Sequence, residues 1–136
     1  MRGVKPKEVV AGSSPISRSP KAPDWLSASA KAEWKRIAPI LIHERKTLTV
    51  ADLATFASYC VAAGQVADAA VIIAKEGMTF MAASGPKKHP AIAIQSDAMT
   101  QARLLANELG LTPVSRSRPA IRDDANGSDD VSDLGL

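Results

Sequence analysis

The chain has 136 residues, of which 46% are hydrophobic but only 4% aromatic; that length fits one small domain better than two. The net charge of +3 hides an asymmetry: residues 1–118 carry 16 Lys and Arg against 9 Asp and Glu, or +7, and residues 119–136 carry one Arg against five Asp, or −4. A basic body with an acidic tail points to a polyanionic partner and to a tail that competes with it, with an ordinary solvated surface as the competing reading.

Residues 1–24 contain Pro6, Pro15, Pro20 and Pro23 together with Arg2, Lys5, Lys7, Arg18 and Lys21. This composition cannot nucleate a core and predicts a flexible basic arm. The foldable region is then residues 25–118, a size that buries only about 60 to 65% of its unfolded surface, so burial against neighbouring subunits would help. With few aromatics and much alanine, its core should come from closely approaching helices rather than large side chains. A first helix should begin at Ser27 as N-cap. Ala30, Trp34, Ile37 and Leu41 share one face of it, and Lys31, Lys35 and Arg36 share the other. Pro39 removes a backbone donor and predicts a kink or break. Trp25 and Leu26 are expected to fold back as an apolar staple.

After the polar link at residues 44–47, Thr49-Val50-Ala51-Asp52 has the form of a capping box with an acid at the third helical position. The second helix should run to about Glu76 and stop at Gly77. Its polar residues Asp52, Thr55, Ser58, Gln65, Asp68 and Lys75 form only a narrow, drifting stripe. A helix so apolar around its circumference must be buried on more than one side, and two other helices cannot cover it. The remaining side should therefore meet another subunit. Cys60 lies within this run and reads as a buried small hydrophobe; as the only cysteine it excludes a disulfide framework and a cysteine-based zinc site.

Residues 78–81 read as a short strand and residues 84–88 as a Gly-, Pro- and Lys-rich turn. His89-Pro90 should open a third helix, about Ala91 to Leu109, with Ile94, Ala98, Ala102, Leu105 and Leu109 on one face. Gly110 would supply a left-handed turn, and Thr112 would cap a second short helix with Pro113 at its first position. Residues 119–136 are Asp-, Ser- and Gly-rich and are expected to be disordered. The predicted fold is mainly α: a helical hairpin plus a third helix, with a short β-hairpin or extended flap between the second and third helices.

Enzyme readings find no support. The nearest approach to a phosphate loop, Ser84-Gly85-Pro86-Lys87-Lys88, lacks a first glycine at the right distance and a hydroxyl after the lysine. His43 and His89 are too isolated for a metal signature, and most paired acids fall in the tail, where nothing would hold them at catalytic distance. No catalytic residue, cofactor or metal is expected. The basic groups make a better case: Lys31, Lys35 and Arg36 on the first helix, Arg45 and Lys46 at the turn after it, and Arg18 and Lys21 from the arm could contact several phosphates. A solvated helix face is the plainer alternative. No helix displays Arg, Asn and Gln together for base reading, so any preference would come from DNA shape or from several subunits.

Three local signatures, in order, resemble the phage terminase small subunits. They are Pro23-Asp24-Trp25-Leu26-Ser27 followed by Ala30-Lys31-Ala32-Glu33-Trp34; Leu48-Thr49-Val50-Ala51-Asp52 with Tyr59-Cys60 beyond; and His89-Pro90-Ala91 with Leu109-Gly110-Leu111-Thr112-Pro113-Val114-Ser115-Arg116-Ser117-Arg118. The resemblance spans residues 23–118. It implies a non-catalytic adaptor that forms a ring-shaped homo-oligomer, binds viral double-stranded DNA and recruits the terminase large subunit, which carries the ATPase and nuclease. The alternative is a small helical transcriptional regulator binding DNA as a dimer. The first residues lack a signal-peptide core, and no run approaches the roughly 18 apolar residues of a membrane span. The expected place is the cytoplasm, which for a phage product is that of the infected bacterial host.

Overall fold

A computed structural model describes residues 14–116 of the chain. Among them the order is α1 (Ala28–Pro39), a π-helical turn (Ile40–Glu44), a 3-10 turn (Val50–Asp52), α2 (Leu53–Glu76), β1 (Thr79–Ala82), β2 (Gly85–Lys88) and α3 (Pro90–Glu108). The fold is mainly α, with three helices and a two-stranded hairpin between the second and third, as the sequence predicts.

α1 starts where expected, with the Ser27 hydroxyl accepting from the Ala30 amide. Pro39 ends the α-helical pattern: it has no N–H to offer, and the chain loosens into the π turn closed by Arg45 N–H to the Ile40 carbonyl. Ala30, Trp34, Ile37 and Leu41 are all buried, whereas Lys31, Lys35 and Arg36 are exposed. The Thr49–Asp52 capping box is formed in both directions.

α1 crosses α2 closely because Gly64 has no side chain. A Cβ there would lie 2.8 Å from the Ala30 backbone nitrogen. Around this crossing Phe56, Leu41, Leu48 and Cys60 are fully buried, and the Trp34 and Phe56 rings pack with centroids 4.4 Å apart. The C-terminal end of α3 completes the cluster with Leu109, Leu105 and Ala102. Gly110 then takes the left-handed conformation (φ +70°) that turns the chain, and Thr112 caps residues 113–116 by accepting from the Ser115 amide.

Several expectations need correction. Leu26 is buried but Trp25 is exposed, so the staple has one member: Leu26 N–H bonds the Pro23 carbonyl, and this tight turn leaves the neighbouring indole on the surface. Ile94 is exposed although it shares the periodicity of Ala98 and Leu105; in this half of α3 the buried positions are Ala91 and Ala98. Residues 85–88 are a strand, not a turn. They pair antiparallel with β1, Thr79 opposite Lys88 and Ala82 opposite Gly85, leaving Ala83-Ser84 as the turn. The segment Val50–Glu76 is, by length and composition only, apolar enough to cross a membrane, contrary to the expectation that no run approaches a span. Its first half is apolar because α1 and α3 pack on it, burying Phe56, Ala57, Tyr59, Cys60 and Ala62.

The predicted tail (119–136) lies wholly, and the predicted arm (1–24) partly, outside the described residues, which omit 1–13 and 117–136. Residues 14–24 have no regular secondary structure but run against the body: Ile16 N–H bonds the Leu48 carbonyl, and Ile16 and Ala22 pack on the core. That part of the arm is anchored.

Candidate nucleic-acid interface

The solvent face of α1 carries the cations because the heptad-like placement of Ala30, Trp34, Ile37 and Leu41 commits the opposite side to the core. Lys31, Lys35 and Arg36 line a shallow groove of about 560 Å³ with Ala28 and Ala32. On the other flank Lys31 and Lys35 meet Lys21 at the rim of a second cavity, of about 390 Å³, whose wall includes Pro20, Ala22, Trp34 and Ala38. The Trp34 indole N–H donates to the Pro20 carbonyl at 3.0 Å, which holds the N-terminal segment against α1 and brings Lys21 to the helix.

The seven sequence-predicted contacts therefore separate. Lys21, Lys31, Lys35 and Arg36 lie along one surface. Arg18 is exposed but lines neither cavity. Arg45 is half-buried and donates to the Gly110 carbonyl at 2.6 Å, tying the turn after α1 to the exit of α3. Lys46 is exposed and holds a left-handed backbone (φ 53°), unusual for a side chain with a Cβ. Thr47 N–H bonds back to the Leu41 carbonyl around it.

Two residues of this surface escaped the sequence reading. Glu33 accepts from Arg36 Nε at 2.9 Å and Nη2 at 2.7 Å, and from the Tyr59 hydroxyl at 2.6 Å. Burial works to raise its pKa, but the Arg36 and Tyr59 hydrogen bonds prevail and hold the carboxyl below its ordinary value. Burial first, then the adjacent Glu33 carboxylate, pushes the Tyr59 hydroxyl well above the ordinary range. The same two causes push the Cys60 thiol up to about 12, so it stays protonated and inert. Arg36 thus has a local counter-charge, whereas Lys31 and Lys35 form no ion pair among the described residues. The three-residue spacing of Glu33 and Arg36 was a usable signal for their pairing. Trp34 was legible only as core; that its indole edge also walls a cavity depends on where residues 19–22 lie.

No curated protein and no solved structure matches the chain significantly. The family model for phage terminase, small subunit, matches residues 30–126, from within α1 to beyond the last described residue. A match over more than half of the sequence, covering both the α1 crossing and the whole α2–hairpin–α3 unit, shows that the chain belongs to the phage terminase small-subunit family.

Proposed function

We propose that this chain is the non-catalytic adaptor of a phage genome-packaging motor: it assembles into a ring-shaped homo-oligomer, binds viral double-stranded DNA through the α1 surface and recruits the large ATPase-nuclease subunit in the host cytoplasm. Family membership carries this reading. Lys31 and Lys35 form no ion pair among the described residues, which supports the choice of DNA surface, since such cations can replace the counterions of phosphates. Exposed Val71 and Ile72 on α2 support self-association.

The test is titration of a linear duplex by fluorescence anisotropy over a range of salt concentrations. Replacing Lys31, Lys35 and Arg36 with Gln should weaken binding and reduce the salt slope by about one for each lost phosphate contact. The Lys31→Gln/Lys35→Gln pair leaves the Glu33–Arg36 bridge intact and should give most of the loss without disturbing the fold. Unchanged affinity and slope in both variants would remove α1 as the DNA surface.

A further inference from the structure

The cavity beside α1 combines a cationic rim with an apolar wall, and phosphates alone account only for the rim. Lys21, Lys31 and Lys35 surround the opening, while Pro20, Ala22, Trp34 and Ala38 line it. Lys31 and Lys35 have no ionic partner among the described residues, and Lys21 has only exposed Asp24 at 3.7 Å. A well-matched occupant carries several negative charges interspersed with aliphatic side chains. The chain's own segment 119–136 has this composition: Asp123, Asp124, Asp129, Asp130 and Asp133 alternate with Ile121, Val131, Leu134 and Leu136.

The path is short enough. The Arg45–Gly110 bond places the exit of α3 beside the turn that follows α1. Lys35 lies ten positions before Arg45, about 15 Å along a helical path. Extended chain covers about 3.4 Å per residue, so the residues between Arg116 and Asp129 can span on the order of 40 Å. The cluster Asp129-Asp130-Val131-Ser132-Asp133-Leu134 can thus reach the whole cavity. Covalent attachment gives it an effective concentration of about millimolar, so even a weak contact is well populated.

We infer that the acidic segment 119–136 docks on the Lys21/Lys31/Lys35 cavity of its own chain and shields that face from nucleic acid; the shielding rests on the DNA reading of the same surface, whereas the docking does not. Bound DNA displaces the segment, and the docked segment sets a threshold that weakly held polyanions do not cross. Screening by salt weakens the dock as it weakens DNA binding.

Carbodiimide coupling of the full chain at low salt tests the docking directly, because it joins carboxylates to lysine amines only in contact. Mass spectrometry should find tail aspartates joined to Lys21, Lys31 and Lys35 in preference to Lys75, Lys87 and Lys88, with the preference lost in high salt. No tail links, or links spread evenly over all lysines, would overturn the inference. For the shielding, changing the five tail aspartates to Asn should tighten duplex binding at least tenfold at low salt. An Ile121→Ser/Val131→Ser/Leu134→Ser variant, which keeps every charge, should tighten it about threefold by releasing the apolar anchor. Equal affinity of the aspartate variant and the parent would overturn shielding, and no effect of the serine variant would overturn seating in the cavity. If no form of the protein binds duplex DNA while the mapped links persist, the docking stands and the DNA reading fails.

Discussion

Where α1 crosses α2, Phe56, Leu41 and Leu48 have essentially no exposed surface, and Leu109 closes the cluster from α3. At the far ends of α2 and α3 the picture reverses. Val71 and Ile72 are open to solvent, the hairpin adds Met78, Phe80 and Met81, and α3 adds Ile94 and Met99. The same α2 helix passes through both regions, so the contrast does not come from composition. It comes from α1, which is only 12 residues long and leaves the remainder of a 24-residue helix without a third neighbour. The crossing region is a finished core, and the distal region is the face that the proposed self-association would cover.

The comparison can be broken most severely at Phe56. Phe56→Ala removes the ring stacked on Trp34 and should cost about 3–5 kcal/mol in chemical denaturation. A loss below about 1 kcal/mol would mean that the crossing is not the stabilising core. In the distal region the expected effect is on assembly. Val71→Asp with Ile72→Asp should collapse the oligomer to a small species while secondary structure by circular dichroism persists. An intact assembly carrying both charges would show that this face is not the interface.

A finer test sits at the edge of the core, where Glu33 links Arg36 on α1 to Tyr59 on α2. Its lowered pKa means the carboxylate stabilises the fold in full above the ordinary value of 4.5, and that contribution fades as pH falls through the lowered folded value. Glu33→Gln should therefore cost about 1 kcal/mol at neutral pH, a figure discounted for partial exposure, and the gap from the parent should close in acid. A pH-independent difference would assign the effect to packing instead. The smallest effect belongs to Lys46: Lys46→Gly relieves its left-handed backbone and should gain up to about 1 kcal/mol in thermal unfolding. A loss of stability there would mean that the lysine side chain compensates for its backbone.

Most local structure was legible because it depends on short-range chemistry. Ser27, Gly77, Pro90 and Gly110 mark helix ends for reasons that hold within one turn of chain, and the structure places the ends there. Two of the errors concern what lies across from a residue. Ile94 has the periodicity of a core residue, yet no neighbour among the described residues covers it. Gly85-Pro86-Lys87-Lys88 has turn composition, yet pairing with residues 79–82 makes it a strand, with Pro86 tolerated in a sheet that has only edge strands. On the candidate surface, the grouping of Lys31, Lys35 and Arg36 follows from helical spacing alone. The approach of Lys21 does not, because it depends on the Trp34–Pro20 hydrogen bond between segments. Arg45 looked like the other cations in sequence, and only the position of the Gly110 carbonyl reveals its tie to the α3 exit.

The claim that the distal face of α2 and α3 is completed by other copies is tested most directly by the mass of the full chain in solution. Size-exclusion chromatography with multi-angle light scattering should give a many-subunit multiple of the 14.3 kDa chain, shifting to a small species in the Val71→Asp/Ile72→Asp variant. A parent protein that elutes as a monomer or a clean dimer across micromolar concentrations would contradict the account and favour the dimeric DNA-binding alternative.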